Sequence, residues 1–206
     1  GTRNSFFIGI VATLLATALG TVAALGLSRP HMPFKAILMA ILISPMIVPL
    51  IITAAGMFFF YSKIGLTHTY LGLILAHTAL GTPFVVITVT ATLTGFDTNL
   101  IRASQSLGAD TMRTFFKVIM PLILPGVISG GLFAFITSFD EVVVVMFVGS
   151  VEQITIPKQM WAGLRQETSP VILCMATCLV ALSIALLTTV EMLRRRSERL
   201  RGIKHR

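Results

Sequence analysis

Two adjacent carboxylates, Asp140 and Glu141, are the side chains whose type and position most directly suggest chemistry. They follow the apolar segment GGLFAFITSF and precede VVVVMFV, where ionisable groups are costly unless they meet water, a partner or a ligand. A cationic solute would be such a partner, and we predict that both acids, with the neighbouring Ser138, line its path. The alternative is that the acids cap a broken helix near the outer surface or pair with a basic group of the same complex.

Other reactive side chains are few and form no catalytic constellation. Cys174 and Cys178 lie four residues apart in an apolar run, where packing on one helix face explains them better than a metal or redox pair. His77, in another apolar run, suits a hydrogen-bonded packing role, with a place on the solute path as the alternative. The sequence has no nucleophile with a supporting base and no G-x-x-x-x-G-K-[ST] phosphate loop. We predict no catalytic residue, no metal site and no bound cofactor.

The composition places the chain in a membrane. Of its 206 residues, 55% are hydrophobic and only 12% are charged, about half the charged fraction of a soluble domain. A helix needs about 20 apolar residues to cross the hydrocarbon core. The apolar runs of sufficient length are 5–27, 35–61, 69–94, 118–148 and 170–193. We therefore predict an all-α, polytopic bundle of membrane helices with five transmembrane segments, forming a single domain over residues 1–206.

Two of these runs contain signals that interrupt a helix. The fourth run is too long for one simple crossing, and we predict a break near Ser138, Phe139 and Asp140, followed by a second, partly embedded segment. In the second run, Pro45 and Pro49 remove backbone donors and predict bending.

The distribution of basic residues predicts the orientation. With the N-terminus outside, the inner segments carry twelve of the sixteen Lys and Arg residues and the outer segments carry four, which favours a cytoplasmic C-terminus. The chain begins at Gly1 without a signal peptide that would carry this end across the membrane. We therefore expect at least one further transmembrane helix before Gly1 in the full-length protein.

The net charge of +8 is concentrated near the C-terminus, because seven of the sixteen basic residues follow residue 193. A basic cluster directly after an apolar run is typical of a cytoplasmic anchor and argues against nucleic-acid binding. We predict that residues 194–206 form a basic cytoplasmic tail next to membrane lipid.

A polar segment, residues 96–121, separates the third and fourth apolar runs and is called the polar loop below. Asp97 or Thr98 is suited to cap a first short helix, and Gly108 is suited to end it. Asp110 then offers a second N-cap, with Thr111 as the alternative, before the chain returns to the membrane.

The first of these helices would place four residues on one face, namely Leu100, Ala103, Ser104 and Leu107. Two short helices with a glycine corner on one membrane face suit the docking of a soluble partner. The alternative is an ordinary interfacial amphipathic helix.

The polar loop also carries a family resemblance. Its segment RASQSLGADTMRTFFKVIMP resembles the cytoplasmic EAA loop of ABC importer permeases, whose pattern is Glu-Ala-Ala, three residues, Gly, nine residues and Ile-x-Leu-Pro. Ala103, Gly108 and Pro121 match this pattern at the intact spacing, and Val118 and Met120 are conservative replacements. The resemblance implies the type I importer permease fold, which usually has six helices.

Two positions depart from the pattern. Arg102 stands in place of the family's glutamate, and Ser104 in place of its second alanine, so the resemblance leaves open which charged partner Arg102 meets. By resemblance, the residues expected to couple to the ATPase are Leu100, Arg102, Ala103, Ser104, Leu107, Gly108, Ala109 and Pro121.

The resemblance extends beyond the loop. The stretch ITSFDEVVVVMFVGSVEQITIPKQMWAGLRQETSP is similar to the second subunit type of spermidine/putrescine permeases. That similarity, the two acids and helix interiors without Lys or Arg favour a polyamine as the solute. Trp161, in a predicted outer loop, is expected either to anchor at the interface or to contact the solute or a binding protein.

The resemblance also implies the partners of this chain. A type I importer combines two permease subunits, two cytoplasmic ATPases that use ATP and Mg²⁺, and in bacteria an extracytoplasmic solute-binding protein. The subfamily resemblance suggests a heterodimer of permeases in the inner membrane. The chain would then be a non-catalytic half of the translocation path, coupled to a separate ATPase.

Three other functions are alternatives to this one. A permease of the same importer type for a different small solute is the nearest alternative. A self-contained secondary carrier would be expected to show an inverted repeat and paired broken helices, and neither is apparent. An intramembrane enzyme would need more His, Asp or Glu residues within the helices than this sequence contains.

Overall fold

The structure is a computed structural model that describes residues 1–29, 32–97, 99–166 and 170–200. Within those ranges all regular secondary structure is helical, as predicted. The helices are α1 (Thr2–Leu27), α2 (Lys35–Ile47), α3 (Leu50–Ile64), α4 (Tyr70–Thr94), α5 (Asn99–Ser106), α6 (Thr111–Thr114), α7 (Met120–Phe139), α8 (Val143–Val148), α9 (Ile156–Gln166) and α10 (Pro170–Leu200). Thr98 and residues 201–206 of the predicted tail lie outside the described residues.

Among the residues that the structure describes, four helical segments are long and apolar enough to cross a membrane. They are Thr2–Leu27, Tyr70–Thr94, Thr111–Phe139 and Leu173–Leu193, and they correspond to the first, third, fourth and fifth predicted runs. The last of these continues as helix beyond the predicted boundary at residue 193, through the first part of the basic tail to Leu200.

The second predicted run, 35–61, is not one straight crossing. Its two helices, α2 and α3, meet at an angle of 105°, so they form either a broken span or a re-entrant loop. Val48 is extended, with φ −71° and ψ 135°, because a residue before proline avoids the helical region. The bending predicted at Pro49 is therefore confirmed, and if the two helices form one broken span they are the fifth predicted segment.

Helices α1, α4 and α7 form the centre of the bundle and approach one another through small residues. A methyl group on Gly20 of α1 would lie 2.6 Å from Cβ of Val85 in α4. On α7, a methyl group on Gly130 would lie 2.7 Å from Cα of the same Val85. Since helix association in lipid depends on close van der Waals packing, these glycines hold the three helices together.

The break predicted in the fourth run is confirmed. Helix α7 ends at Phe139, and after Asp140 the chain forms the short helix α8. The side chains of Val144, Val145 and Val148 are fully buried in a cluster with residues of α3 and α4, so α8 is folded back into the bundle.

The polar loop and Asp140 lie at opposite ends of the bundle, because α7 spans about 30 Å between them. The N-terminus is at the Asp140 end. There, Nδ2 of Asn4 donates to the carbonyl oxygens of Glu152, at 2.9 Å, and Ile154, at 3.1 Å. The backbone N–H of Ile156 donates to Oγ of Ser5 at 2.8 Å, so α1 is tied to the segment before α9.

Candidate functional site

The polar loop begins as its sequence predicts. Oδ1 of Asp97 accepts a hydrogen bond from the backbone N–H of Asn99 at 2.9 Å, which satisfies one of the free donors at the start of α5. The carbonyl oxygen of Asp97 also accepts from the N–H of Leu100 at 3.1 Å. The cap predicted at Asp97 is therefore confirmed.

Helix α5 ends in a Schellman motif built on Gly108. The N–H of Ala109 donates to the carbonyl of Ser104 at 3.1 Å, and the N–H of Gly108 donates to that of Gln105 at 2.9 Å. Gly108 has a φ of +82°, in the left-handed region that favours glycine, and no atom lies within 4 Å of where a Cβ would be placed. Glycine is thus required here by the backbone turn and not by crowding.

The second short helix is capped by Asp110. Its Oδ1 accepts from the backbone N–H of Arg113 at 2.7 Å, which confirms Asp110 as the N-cap. The two short helices are then joined by their side chains, because the hydroxyl oxygens of Ser104 and Thr114 lie 2.7 Å apart in a hydrogen bond. Thr114 is buried and Ser104 is half-buried.

This arrangement separates the residues that we expected to share one docking face. Leu100 is 44% exposed and Leu107 is 89% exposed, and Ala103 is also exposed. Ser104 instead faces α6, so it stabilises the corner between the helices, and the docking face stays a prediction for the three exposed residues. Arg102 is exposed and forms no ion pair within the described part of the chain.

Pro121 explains how the polar loop joins α7. It occupies the first turn of α7, and because proline has no N–H it cannot donate to the carbonyl of Lys117. The preceding residues, Phe115–Ile119, form a π-helical turn, in which the N–H of Met120 donates to the carbonyl of Phe115. Helix α6, the π-helical turn and α7 therefore form one continuous helical segment of 29 residues, Thr111–Phe139.

At the opposite end of α7, Ser138 is buried and bound to His77. Nδ1 of His77 and Oγ of Ser138 lie 2.7 Å apart in a hydrogen bond between α7 and α4. The imidazole is 1% exposed, and its Nε2 has no hydrogen-bond partner among the described residues. This contact is the packing role expected for His77, and it occupies the Ser138 hydroxyl that we had assigned to the solute path.

Glu141 caps a helix, which was the alternative interpretation of the acid pair. Oε1 of Glu141 accepts from the backbone N–H of Val144 at 2.9 Å, at the start of α8. Its side chain is only 7% exposed. The structure therefore shows the carboxylate in the capping role, and a contact between Glu141 and a solute stays a prediction.

Lys158 contacts backbone carbonyls at the C-terminal end of α8. The sequence did not indicate this contact. Its Nζ donates to the carbonyl oxygens of Val145 and Ser150, each at 3.2 Å. Cations near a helix C-terminus interact favourably with its unsatisfied carbonyls. Burial lowers the pKa of the Lys158 ammonium. The only available signal was a lysine ten residues after the end of α8, which does not indicate a contact.

Asp140 and Trp161 remain accessible. The side chain of Asp140 is exposed and forms no hydrogen bond or ion pair with the residues that the structure describes, whereas its backbone N–H donates to the carbonyl of Ile136 at 3.0 Å. Trp161 is 47% exposed and lies on α9, a helix where we had expected a loop. Of the four residues predicted for the solute path, only these two present free polar or aromatic groups at the surface.

The comparison with protein families gives one match. Residues 16–199 match the family model described as "Binding-protein-dependent transport system inner membrane component". The match covers most of the chain, including the polar loop, the break at Asp140 and most of α10.

Curated relatives are permeases. The chain is 31% identical over 194 residues to the spermidine/putrescine transport system permease protein PotC of Haemophilus influenzae, covering 94% of this chain and 76% of that protein. It is 28% identical over 193 residues to PotC of Escherichia coli K12, covering 94% and 73%. The putrescine transport system permease protein PotI of the same strain is 29% identical, covering 85% and 65%.

Solved structures support the same fold. A chain of the MetNI methionine ABC transporter in an inward-facing conformation superposes with a TM-score of 0.67 at 21% identity, covering 100% of this chain and 95% of that one. A chain of an ABC transporter that imports the polysaccharide alginate has a TM-score of 0.64 at 16% identity, covering 96% and 72%. The predicted all-α importer permease fold is therefore confirmed.

The chain is a bundle of apolar helices, interrupted by a loop of two capped helices that meet at Gly108, and residues 16–199 match the family model. It therefore belongs to the binding-protein-dependent transport system inner membrane components, the permease subunits of ABC importers.

Proposed function

We propose that this chain forms part of the path of a polyamine across the inner membrane. We further propose that its polar loop is displaced by the conformational change of a separate ATPase. The observation that carries the coupling role is the geometry of the loop. Two short helices meet at Gly108, are joined by the hydrogen bond between Ser104 and Thr114, and expose Leu107 beyond the end of α5. An exposed, internally braced corner of this kind suits insertion into a groove of another protein.

The link from the loop to the bundle supports this role. The π-helical turn and α7 continue directly from α6, and α7 lies against α1 and α4. A displacement of the loop would therefore move α7 and, at its far end, Asp140. A rigid helix is a suitable element for transmitting a displacement between two sites of a transporter.

The choice of a polyamine is supported by the relatives and by Asp140. Both PotC and PotI are named as permeases of polyamine transport systems. In this chain the carboxylate of Asp140 is exposed at the break after α7, and its charge is not balanced by any described residue. A protonated amine of the solute would supply the missing partner.

The remaining partners follow from the family. We propose two ATPase subunits on the cytoplasmic side, which use ATP and Mg²⁺, a second permease of different sequence, and an extracytoplasmic solute-binding protein. The polar loop and the C-terminus would then be cytoplasmic, and the N-terminus, Asp140 and α9 would lie on or near the outer side. In this orientation Trp161 on α9 would face the interface or the binding protein.

The coupling role is tested by Gly108→Asp in the membrane-embedded complex. Any side chain at a φ of +82° strains the corner, so we expect normal insertion of the permease and loss of ATPase co-purification. Gly65→Asp is a matched control, because Gly65 has a φ of +71°, has equally open surroundings and lies at the other end of the bundle. Normal ATPase association of Gly108→Asp, or equal loss in both variants, would contradict the proposal.

A further inference from the structure

The polar loop carries free charges of one sign. Its two acidic residues, Asp97 and Asp110, accept hydrogen bonds from the first turns of α5 and α6. Its basic residues, Arg102, Arg113 and Lys117, are all exposed. A carboxylate that caps a helix is partly neutralised by the positive end of the helix, so the loop presents a net positive surface to any partner.

Among the basic residues, Arg102 has the position best suited to direct contact. Residues two apart on an α-helix are separated by about 200° around its axis. Since Ser104 faces α6 through its bond to Thr114, Arg102 lies on the side of α5 that points away from the rest of the loop. The burial pattern agrees, because Ser104 is half-buried and Arg102 is exposed.

The neighbours of Arg102 on this side are polar and uncharged. Asn99, Gln105 and Ser106, three residues before it and three and four residues after it, are all exposed, and the hydroxyl of Ser106 is turned back to the carbonyl of Arg102 at 2.9 Å. A partner surface can therefore reach the guanidinium without meeting another charge or a large apolar side chain. Guanidinium groups bind carboxylates in a planar, bidentate geometry that gives both strength and orientation.

We infer that the ATPase groove that receives α5 presents a carboxylate to Arg102. This inference rests on the coupling role proposed above and specifies the chemistry of the partner. The charge at this contact is the reverse of that in permeases with a glutamate at the same place in the pattern. A groove that accepts a glutamate would repel Arg102, so the sign of this charge would select the cognate ATPase.

An anionic lipid surface is a different possible occupant, and the composition of α5 argues against it. A helix that lies in a membrane interface presents large apolar or aromatic side chains to the lipid. The side of α5 that carries Arg102 instead presents the polar side chains of Asn99, Gln105 and Ser106. Uncharged polar residues around a single guanidinium suit a complementary protein groove.

The test compares four single variants, Arg102→Lys, Arg102→Gln, Arg102→Glu and Arg113→Glu, in the complete transporter reconstituted in zwitterionic lipid. ATPase affinity is measured at low and high salt. We expect Arg102→Glu to weaken association by about thirtyfold or more, Arg102→Gln by less, and Arg102→Lys least. Arg113→Glu makes the same charge change elsewhere in the loop, and we expect it to have a much smaller effect.

The salt dependence provides a second measurement. High salt should weaken the wild-type complex more than the Arg102→Gln complex, because an exposed ion pair is screened. Recovery of Arg102→Glu by an acidic-to-basic substitution in the ATPase groove would identify the partner residue. Unchanged affinity of Arg102→Glu, or equal losses in Arg102→Glu and Arg113→Glu, would overturn the inference.

Three further outcomes separate the possible causes of failure. If Arg102→Glu weakens association only when anionic lipid is included, the guanidinium binds lipid and the inference is wrong. If Arg102→Glu has no effect while Gly108→Asp still abolishes association, the coupling role stands and only the charge pairing fails. If neither substitution affects association, the proposed function fails as well.

Discussion

Glu141 and Lys158 satisfy opposite ends of the same helix. The carboxylate of Glu141 accepts from an N–H at the start of α8, and the ammonium of Lys158 donates to a carbonyl in its last turn. The C-terminal carbonyl of Val148 is satisfied separately by the N–H of His68 at 2.8 Å. A helix of six residues has almost no internal hydrogen bonds, so these contacts are what allow α8 to be buried in the bundle.

The first prediction separates a capping role of Glu141 from a solute-binding role. Glu141→Gln keeps an oxygen that accepts from the N–H of Val144, whereas Glu141→Ala removes it. We expect Glu141→Ala to destabilise the protein by about 0.5–2 kcal/mol and Glu141→Gln by clearly less. The measurement is thermal unfolding of the purified transporter together with polyamine uptake. If Glu141→Gln abolished uptake while leaving stability unchanged, the carboxylate would have to act on the solute.

The second prediction concerns Asp140, whose charge is free at the end of α7. Asp140→Asn keeps the size of the side chain and removes its charge, so assembly with the ATPase should be normal. Loss of a hydrogen bond to a charged group costs about 1.5–3 kcal/mol, and we therefore expect the apparent affinity for polyamine to fall about tenfold or more. Uptake by proteoliposomes over a range of solute concentrations measures this. Unaltered concentration dependence would rule out contact between Asp140 and the solute.

The third prediction concerns the packing of α7 on α4. A methyl group at Gly130 would lie 2.7 Å from Cα of Val85, and backbone cannot move aside as a flexible side chain can. We expect Gly130→Ala to destabilise the bundle by about 1–3 kcal/mol. Gly56→Ala in α3 is the matched control, because its surroundings are open and alanine favours a helix. Unfolding in detergent measures both variants, and equal stability of the two would refute close packing at Gly130.

Much of the polar loop could be read from the sequence because its structure depends on local hydrogen bonds. Asp97 and Asp110 cap helices that begin within three residues of them. At the end of α5, the N–H groups of Gly108 and Ala109 donate to carbonyls three and five positions before them, respectively. The break after Phe139 was also apparent, because two acids interrupt a long apolar run. Interactions between residues only a few positions apart can be predicted without knowledge of the rest of the fold.

The direction in which each side chain points required the tertiary structure. Helical periodicity predicts that Ser104 lies on the docking face. In the structure, its hydrogen bond to Thr114 shows that it faces α6. Helical periodicity shows which residues share a face, but not which neighbouring helix that face meets. The 105° bend between α2 and α3 similarly depends on packing as well as on Pro49.

The sequence alone determined that this chain is a bundle of membrane helices with an importer-type loop, because hydropathy, capping residues and motif spacing are properties of short segments. Only the tertiary structure decided that Glu141 is buried as a helix cap, that Lys158 supports the same helix, and that Asp140 is the acid left free. Contacts between residues far apart in the chain depend on how helices pack. Two neighbouring carboxylates with similar local sequence can therefore have entirely different surroundings.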